Sequence, residues 1–447
     1  MRKLFGTDGI RGLANQEPMT PETLLRLGQA VGLYYRTAHH TPKILVGRDP
    51  RISGFMLERA FVAGVLSTGA TVWEVGVIPT PGVCFLAKKL KADAGAMISA
   101  SHNPVEDNGI KFFGPDGYKL PDAVEAHIEQ LLENKVMPHR PVADGVGVAH
   151  DFRSHRTQYL EFLSRSIPAS LSWPGWKVVV DGAHGAVSEF IRPLLTMRGV
   201  QVVAIGCQPN GVNINKGAGP LYPQALQKRV KVERADLGMC FDGDGDRALF
   251  CDEKGGLLDG DDILALVADD LLQQNGHLKT VVGTVMSNFG LEEFLTSKGV
   301  KLARAKVGDR YVLEMMRAQK AVIGGEPSGH TIFTDRHTTG DGLLTALQVL
   351  AILKRRERPV SHTARLFEHY PQFHTSVRVK EKRDIETMPG VKAAIRDAEQ
   401  QLLGHGRVVV RPSGTEPIIR VMVEAKREAD AKRLASTIVR ALHSEVA

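Results

Sequence analysis

Short apolar runs separated by amphipathic helical stretches recur through most of the 447 residues, and no other feature restricts the fold as much. Such runs read as strands whose faces are covered by helices, which is the pattern of parallel α/β layers. In the first segment, Lys43 to Gly47, Thr71 to Val75 and Ala94 to Ile98 read as strands, with helices over Phe55 to Ser67 and Gly82 to Leu90. The polar passage from Lys135 to His155 marks a boundary. A second unit has strands Lys177 to Asp181, Val200 to Ile205 and Leu237 to Phe241, with helices Ala186 to Arg198 and Pro223 to Arg234. A third unit starts near Lys254-Gly255-Gly256 and carries strands Thr280 to Gly283, Lys301 to Ala305 and Ala321 to Gly324.

After about residue 365 the pattern changes. Thr375 to Lys380, Arg407 to Arg411 and Ile418 to Ala425 alternate apolar and polar, as antiparallel strands with one wet face do. Helices Val391 to Leu403 and Ala429 to His443 accompany them. The expected fold is therefore three tandem mixed or parallel α/β domains plus a C-terminal α+β domain around a central cleft. The expected domains are 1–150, 151–253, 254–367 and 368–447. At about 150 residues per domain, the length is in line with that division.

Hydrophobic (43%) and charged (24%) contents are those of an ordinary globular protein. The net charge of +7 is spread along the chain and aromatics make up only 6%, so no nucleic-acid partner is expected. A basic surface with an anion site accounts for the surplus. The four cysteines show no CxxC spacing and sit in apolar surroundings, which fits a reducing, cytoplasmic compartment. Met1 to Asp8 lacks the apolar core of a signal peptide, and no apolar run is long enough to span a bilayer, so no membrane partner is expected.

Five times an apolar strand runs into a loop of small and polar residues. These loops are Ser99 to Pro104, Asp181 to Gly185, Asp242 to Arg247, Gly324 to His330 and Pro412 to Pro417. Ligands of open α/β sheets bind beyond the carboxyl ends of strands, so several such loops point to one shared cleft. In the first loop Ser101 displays a hydroxyl just past the strand, with His102 beside it and Pro104 forcing the chain away. No carboxylate relay adjoins Ser101, so an acyl-transfer triad is the poorer reading and His102 is expected to be a hydrogen-bonding or packing neighbour.

Asp242-Gly243-Asp244-Gly245-Asp246-Arg247 places three carboxylates at alternate positions, with glycines that let the backbone curl. Converging carboxylates repel unless a hard cation such as Mg²⁺ or Ca²⁺ sits among them. With Glu253 they match positions 1, 3, 5 and 12 of an EF-hand, but Arg247 stands where that loop needs glycine and the flanks are strand-like. A calcium-sensor reading therefore fails. Arg411-Pro412-Ser413-Gly414-Thr415-Glu416-Pro417, with Arg420 beyond, suits a phosphate monoester when taken with the other loops. Glu326, Ser328 and His330 would suit the vicinal hydroxyls of a sugar, although a structural turn explains them equally well. Lys111 and Arg11 supply cations that could steer or exchange protons, although a lone Lys or Arg is more often a surface charge. Together these parts are what phosphoryl transfer requires: positioning and charge neutralisation. An aspartyl-phosphate phosphatase with Asp242 as nucleophile is the rival within enzymes.

The ordered set Phe5 to Gly12, Gly47 to Arg51, Ser99 to Pro104, Asp242 to Arg247, Gly325 to His330 and Arg411 to Arg420 resembles the α-D-phosphohexomutase superfamily over nearly the whole chain. The first and last motifs resemble its glucosamine branch. The resemblance implies an isomerase-class enzyme, active as a Ser101 phosphoprotein, with Mg²⁺ held by Asp242, Asp244, Asp246 and a phosphoserine oxygen. It implies a small-molecule hexosamine phosphate as partner, with glucosamine 1,6-bisphosphate as intermediate and activator. Glucosamine 6-phosphate would become the 1-phosphate, a precursor of UDP-N-acetylglucosamine. The implied substrate contacts are Glu326, Ser328, Arg247, Arg411, Ser413, Gly414, Thr415 and Arg420, with Ser101, Lys111, Arg11 and His330 as catalytic groups. A monomer or homodimer is expected. Pro327 departs from the usual pattern of the sugar loop; it lacks an N–H and stiffens the turn.

Overall fold

The computed structural model describes residues 4–6, 8–37, 39–133, 140–379, 384–412 and 417–446. The first sheet is built from β1 (Ile10–Leu13), β2 (Lys43–Arg48), β3 (Thr71–Val77), β4 (Ala94–Ile98), β5 (Asp107–Phe113) and β6 (Ala149–Asp151). Their order is β1-β5-β4-β2-β3-β6. Strands β4, β2, β3 and β6 run parallel, while β5 and β1 return antiparallel at the other edge. The parallel strands are continuous apolar runs because helices cover both faces: Pro21–Tyr35 and Ile52–Leu66 pack on one core, Thr80–Leu90 on the other.

The second sheet holds β7 (Lys177–Asp181), β8 (Gln201–Ile205), β9 (Leu237–Phe241), β10 (Ala248–Asp252) and β11 (Leu257–Leu258), in the order β11-β10-β9-β7-β8. Only the helix expected from Ala186 to Arg198 comes out differently. It is a 3-10 turn, Ala186–Glu189, followed by a separate α-helix, Ile191–Thr196. Pro193 has no N–H to donate and tolerates only the first turn of a helix, so the α-helix restarts just ahead of it.

The third sheet is β12 (Thr280–Thr284), β13 (Lys301–Ala305), β14 (Ile323–Gly325) and β15 (Thr331–Phe333), in the order β13-β12-β14-β15. The fourth comprises β16 (Gln372–Arg378), β17 (Gly406–Pro412) and β18 (Ile418–Ala425); β18 lies in the middle and pairs antiparallel with both neighbours. Helices Pro389–Leu402 and Glu428–Val446 accompany this sheet. Lys380, expected to end the first of these strands, lies outside the described residues.

Core packing joins the first three sheets and gives the fourth a core of its own. One continuous apolar cluster runs through the first three sheets, from Leu45 and Phe113 through Trp173 and Phe241 to Leu347, whereas the C-terminal domain closes its own core around Val421 and Leu434. No described helix is long and apolar enough to cross a membrane.

Polar ties cross between the joined units as well. Tyr159 donates to Asp341 Oδ2 at 2.9 Å, and Asp341 Oδ1 caps Gly342–Arg356 by accepting from Leu344 N. Burial pushes the Asp341 carboxyl up to about 7. Its folded pKa thus exceeds the unfolded value near ~3.9, so its contribution to stability is fully present below about pH 4 and lost as pH rises through about 7. Between those limits, chemical denaturation should show the native protein losing a few kcal/mol relative to Asp341→Asn, which has no such proton to lose. Parallel pH profiles would refute this.

Candidate active site

Three of the strand-end loops converge. Beyond β4 the chain turns sharply at Ser101, whose φ of 52° lies in the left-handed region that costs a non-glycine residue about 1 kcal/mol. Buried hydrogen bonds hold it there. Ser101 N donates to Ser99 Oγ at 2.9 Å, and Ser99 Oγ donates to Asp49 Oδ2 at 2.6 Å. Arg51, fully buried, pairs with Asp49 at 2.9 Å and sends its other nitrogens to the carbonyls of Ser101, Asn103, Pro104 and Asp107. Asn215 Nδ2, from the second domain, donates to the Ser101 and Asn103 carbonyls at 2.8 and 2.9 Å.

Removing the Arg51 guanidinium would leave Asp49 buried without its cation and strip the serine loop of its clamp. Arg51→Ala is expected to cost about 3–5 kcal/mol by denaturant titration. A loss below about 1 kcal/mol would refute the clamp.

The second loop follows β9. Gly243 is required by close approach, because a Cβ there would lie 2.6 Å from the Ser101 carbonyl oxygen; Gly245 turns the loop at φ 73°. The result is a direct contact: Ser101 Oγ donates to Asp242 Oδ2 at 2.7 Å. The carboxylates of Asp242, Asp244 and Asp246 each offer an oxygen within 4.8 Å of the others, and all three residues are buried. Asp244 Oδ2 accepts from Thr80 Oγ1 (2.6 Å) and Lys111 Nζ (2.8 Å), while Asp244 Oδ1 and Asp246 Oδ1 are buried with no hydrogen-bond partner. Three hard oxygen donors this close together, two of them on residues with an orphaned carboxylate oxygen, fit a divalent cation such as Mg²⁺. Glu253 instead accepts from Ser361 N and Oγ, so the EF-hand pairing does not form.

The charges divide unevenly. Burial, reinforced by Asp246 and Asp244, pushes the Asp242 carboxyl well above its ordinary range. Burial presses Asp246 upward too, but Lys111, His330 and Arg247 outweigh it and hold that carboxyl far down. Lys111 would lose its proton to burial alone; Asp244, Asp8 and Asp246 keep it firmly cationic. His330 is likewise raised, against burial, by Asp246 and Asp309. His102 goes the other way, to about 4, through burial with Arg247 and Arg11 nearby. Its Nδ1 lies 3.3 Å from Ser101 Oγ, but no carboxylate among the described residues orients it, so the triad reading stays rejected.

Arg11 borders the same cleft, paired with Asp8 and donating to Ala100 O at 3.3 Å. Arg247 Nε lies 3.8 Å from Asp246 Oδ1, and the Arg247 backbone N–H donates to Asp242 Oδ1 at 3.2 Å. In the third loop Glu326 is buried and takes the Gly308 N–H at 3.0 Å; Ser328 is half-buried at the turn. The Pro327 turn closes through Gly329 N to Glu326 O and Glu326 N to His330 O, while the Pro327 carbonyl accepts from Gly260 N. The missing N–H is therefore not needed there. Arg411 and Arg420 stand directly opposite in the β17–β18 register, on the face turned from the domain's own core, and border a cavity of about 400 Å³. Like charges opposed in this way repel, which an anion between them relieves. Ser413, Gly414 and Thr415 lie outside the described residues.

The Asp181 loop plays a bracing part. Asp181 accepts from Ala183 N and Gly219 N, and Ala186 N donates to the Gly243 carbonyl. Sequence reasoning missed Arg51, Asn215 and Thr80 as supports and Asp8, Lys119 and Asp309 as charged neighbours of the site. Only Asp8 and Arg51 stood inside motifs it singled out.

Residues 2–139, 157–256 and 259–370 match the phosphoglucomutase/phosphomannomutase alpha/beta/alpha domains I, II and III, and 375–441 match the C-terminal domain of that family. A phosphoglucosamine mutase of Mesorhizobium japonicum is 50% identical over 422 residues, covering 94% of this chain and 93% of its own. One from Geobacillus kaustophilus is 48% identical over 431 residues, with 96% and 95% covered. Among solved structures, a phosphoglucomutase/phosphomannomutase family protein of Burkholderia thailandensis shares the fold with a TM-score of 0.82 at 24% identity, over 99% of this chain and 98% of that one. The N-acetylphosphoglucosamine mutase of Aspergillus fumigatus, in complex with GlcNAc-6P and magnesium, does so with a TM-score of 0.68 at 19% identity, over 100% and 96%. With all four domains matched in order and relatives about half identical over nearly their full length, the chain belongs to the phosphoglucomutase/phosphomannomutase family, and within it to the phosphoglucosamine mutases.

Proposed function

We propose that this cleft interconverts glucosamine 6-phosphate and glucosamine 1-phosphate through a phosphoserine at Ser101 and a 1,6-bisphosphate. The observation that carries this reading is the 2.7 Å bond from Ser101 Oγ to Asp242 of the aspartate trio. It supports a phosphoryl carrier at Ser101 beside a cation held by the aspartates. Asp242, Asp244, Asp246 and a phosphoserine oxygen would hold Mg²⁺, which when bound neutralises charge on the carboxylates and on the phosphoryl group in transfer.

In the forward direction the sugar's 1-hydroxyl oxygen bonds to the phosphorus as the Ser101 Oγ–P bond breaks, and the hydroxyl proton ends on the released serine. Lys111, kept cationic by Asp244, Asp8 and Asp246, stabilises the departing oxygen and passes a proton to it while the hydroxyl proton recharges the amine, so that one proton moves in all. Arg11 and His330 add positive charge on the cleft wall. Glu326 and Ser328 hold sugar hydroxyls, Arg247 reaches the bound sugar phosphate beside the trio, and Arg411 and Arg420, with Ser413, Gly414 and Thr415, grip the phosphate that is not transferred. The bisphosphate then turns over, and its 6-phosphoryl group returns to Ser101.

The test is direct. Protein primed with a hexose 1,6-bisphosphate and Mg²⁺ should convert glucosamine 6-phosphate to the 1-phosphate. Absence of product from protein shown to carry phosphoserine would overturn the reading.

A further inference from the structure

A ring of alternating charge lines the cleft beside the sugar loop. Lys111 Nζ lies 3.7 Å from both Asp246 and Asp8, Asp8 pairs with Lys119, and Lys119 Nζ lies 2.6 Å from Asp309 Oδ2. His330 closes the ring, with Nε2 4.0 Å from Asp309 Oδ2 and Nδ1 3.7 Å from Asp246 Oδ2. The phosphoryl chemistry accounts for Lys111, His330 and Asp246. It leaves Asp309 without a task.

Asp309 opens the helix Asp309–Gln319, one residue after the Gly308 N–H that holds Glu326 Oε1 at 3.0 Å. Asp309 is therefore one residue along the chain from the N–H that holds the group assigned to the sugar hydroxyls, and its carboxylate meets His330 of the same loop. Its Oδ1 accepts the Arg310 N–H at 2.8 Å, which leaves Oδ2 as the oxygen that meets Lys119 and His330. These three side chains share the wall of a cavity of about 360 Å³.

We propose that Asp309 reads the ammonium group of the amino sugar and so sets the preference for hexosamine over hexose phosphates; this rests on the mutase reading of the same cleft. A C2 ammonium differs from a C2 hydroxyl by a full charge and by having only donors, and a carboxylate answers both differences. The structure contains such a pair already, because Lys119 Nζ is a primary ammonium seated on Asp309 Oδ2. Lys119 has three donors and a second carboxylate in Asp8, so it stays paired when Asp309 takes another ammonium. The neighbouring Arg310 is committed elsewhere, to Glu125 at 3.2 Å and to the Leu120 carbonyl at 3.1 Å.

The test compares kcat/KM for glucosamine 6-phosphate and glucose 6-phosphate in the primed enzyme and in Asp309→Asn. The ratio between the two sugars should narrow by about tenfold or more, the scale of a hydrogen bond to a charged group, and Asp309→Glu should restore part of it. A ratio that stays constant while both values fall together would overturn the assignment and make Asp309 a partner of Lys119 only. Should the asparagine variant fail to fold, 2-deoxyglucose 6-phosphate decides with the native enzyme. It lacks any C2 polar group, and turnover as efficient as that of glucosamine 6-phosphate would overturn the proposal, whereas a deficit of about tenfold supports it. Absence of turnover on every hexose phosphate would remove the mutase reading and this assignment together, while turnover with an unchanged ratio removes the assignment alone.

Discussion

Replacing Ser101 by alanine is expected to lower mutase turnover by about 10³-fold or more, because no second hydroxyl replaces the lost acceptor of the phosphoryl group. The loss should be chemical rather than structural. Alanine adopts the backbone angle of 52° no less readily than serine does, and the clamps from Arg51 and Asn215 act on the residue's carbonyl, not its side chain. Thermal denaturation should therefore show Ser101→Ala still folded, lower in stability only by the about 1–3 kcal/mol that losing the buried bond to Asp242 costs, while peptide mapping after incubation with bisphosphate should find phosphoserine at residue 101 of the native chain only. An aspartyl-phosphate phosphatase makes the opposite demand. A phosphate mapped to Asp242 and released by hydroxylamine, or full turnover in Ser101→Ala, would move the covalent chemistry to the carboxylate.

Asp244→Asn should cut Mg²⁺-dependent turnover by about 10²-fold or more, through two losses at once. The amide removes one of three anionic oxygen donors, and it dissolves the 2.8 Å ion pair that aims Lys111. Its shape is retained, so Thr80 keeps an acceptor in the amide oxygen. A readout independent of activity exists. A cation that binds only the folded state at a hundred times its Kd stabilises by about 2.7 kcal/mol. The native protein should gain stability of that order when Mg²⁺ is added and lose it to a chelator. The variant should respond far less. Equal stabilisation and an unchanged rate would show that the three aspartates do not form the metal site.

Much of this site stands in the sequence because its parts are local. The run Asp242-Gly243-Asp244-Gly245-Asp246 carries its own instructions: alternate carboxylates, and glycines where the backbone must curl or approach. The apolar runs that became β2, β4, β7 and β9 were legible for a similar reason, since strands buried between helices cannot carry polar residues. The edge strand β1 and its antiparallel neighbour β5 mix polar with apolar residues and gave no such signal. The kink at Pro193 was legible in principle, but the apolar spacing around it outweighed it in the reading.

Other features have no local signature. Arg51 looks like any arginine at the start of a helix, and only the fold puts its guanidinium under the serine loop, about 50 positions further on. Thr80 and Asn215 become supports through contacts 164 and 114 positions away in the chain. Lys119 and Asp309 are separated by the whole second domain, yet share a hydrogen-bond distance.

The chain by itself determined the kinds of chemistry available, because residue type and spacing set what a loop can ligate or donate: a hydroxyl, a carboxylate trio, guanidinium forks and a sugar turn. Tertiary structure decided which of these groups meet and in what protonation state. Ser101 and Asp242 stand 141 positions apart and become partners only where two sheets bring their strand ends together. Lys111 stays charged only because carboxylates from other segments surround it against the cost of burial. Charge at a buried site belongs to its surroundings, and those surroundings come from distant parts of the chain.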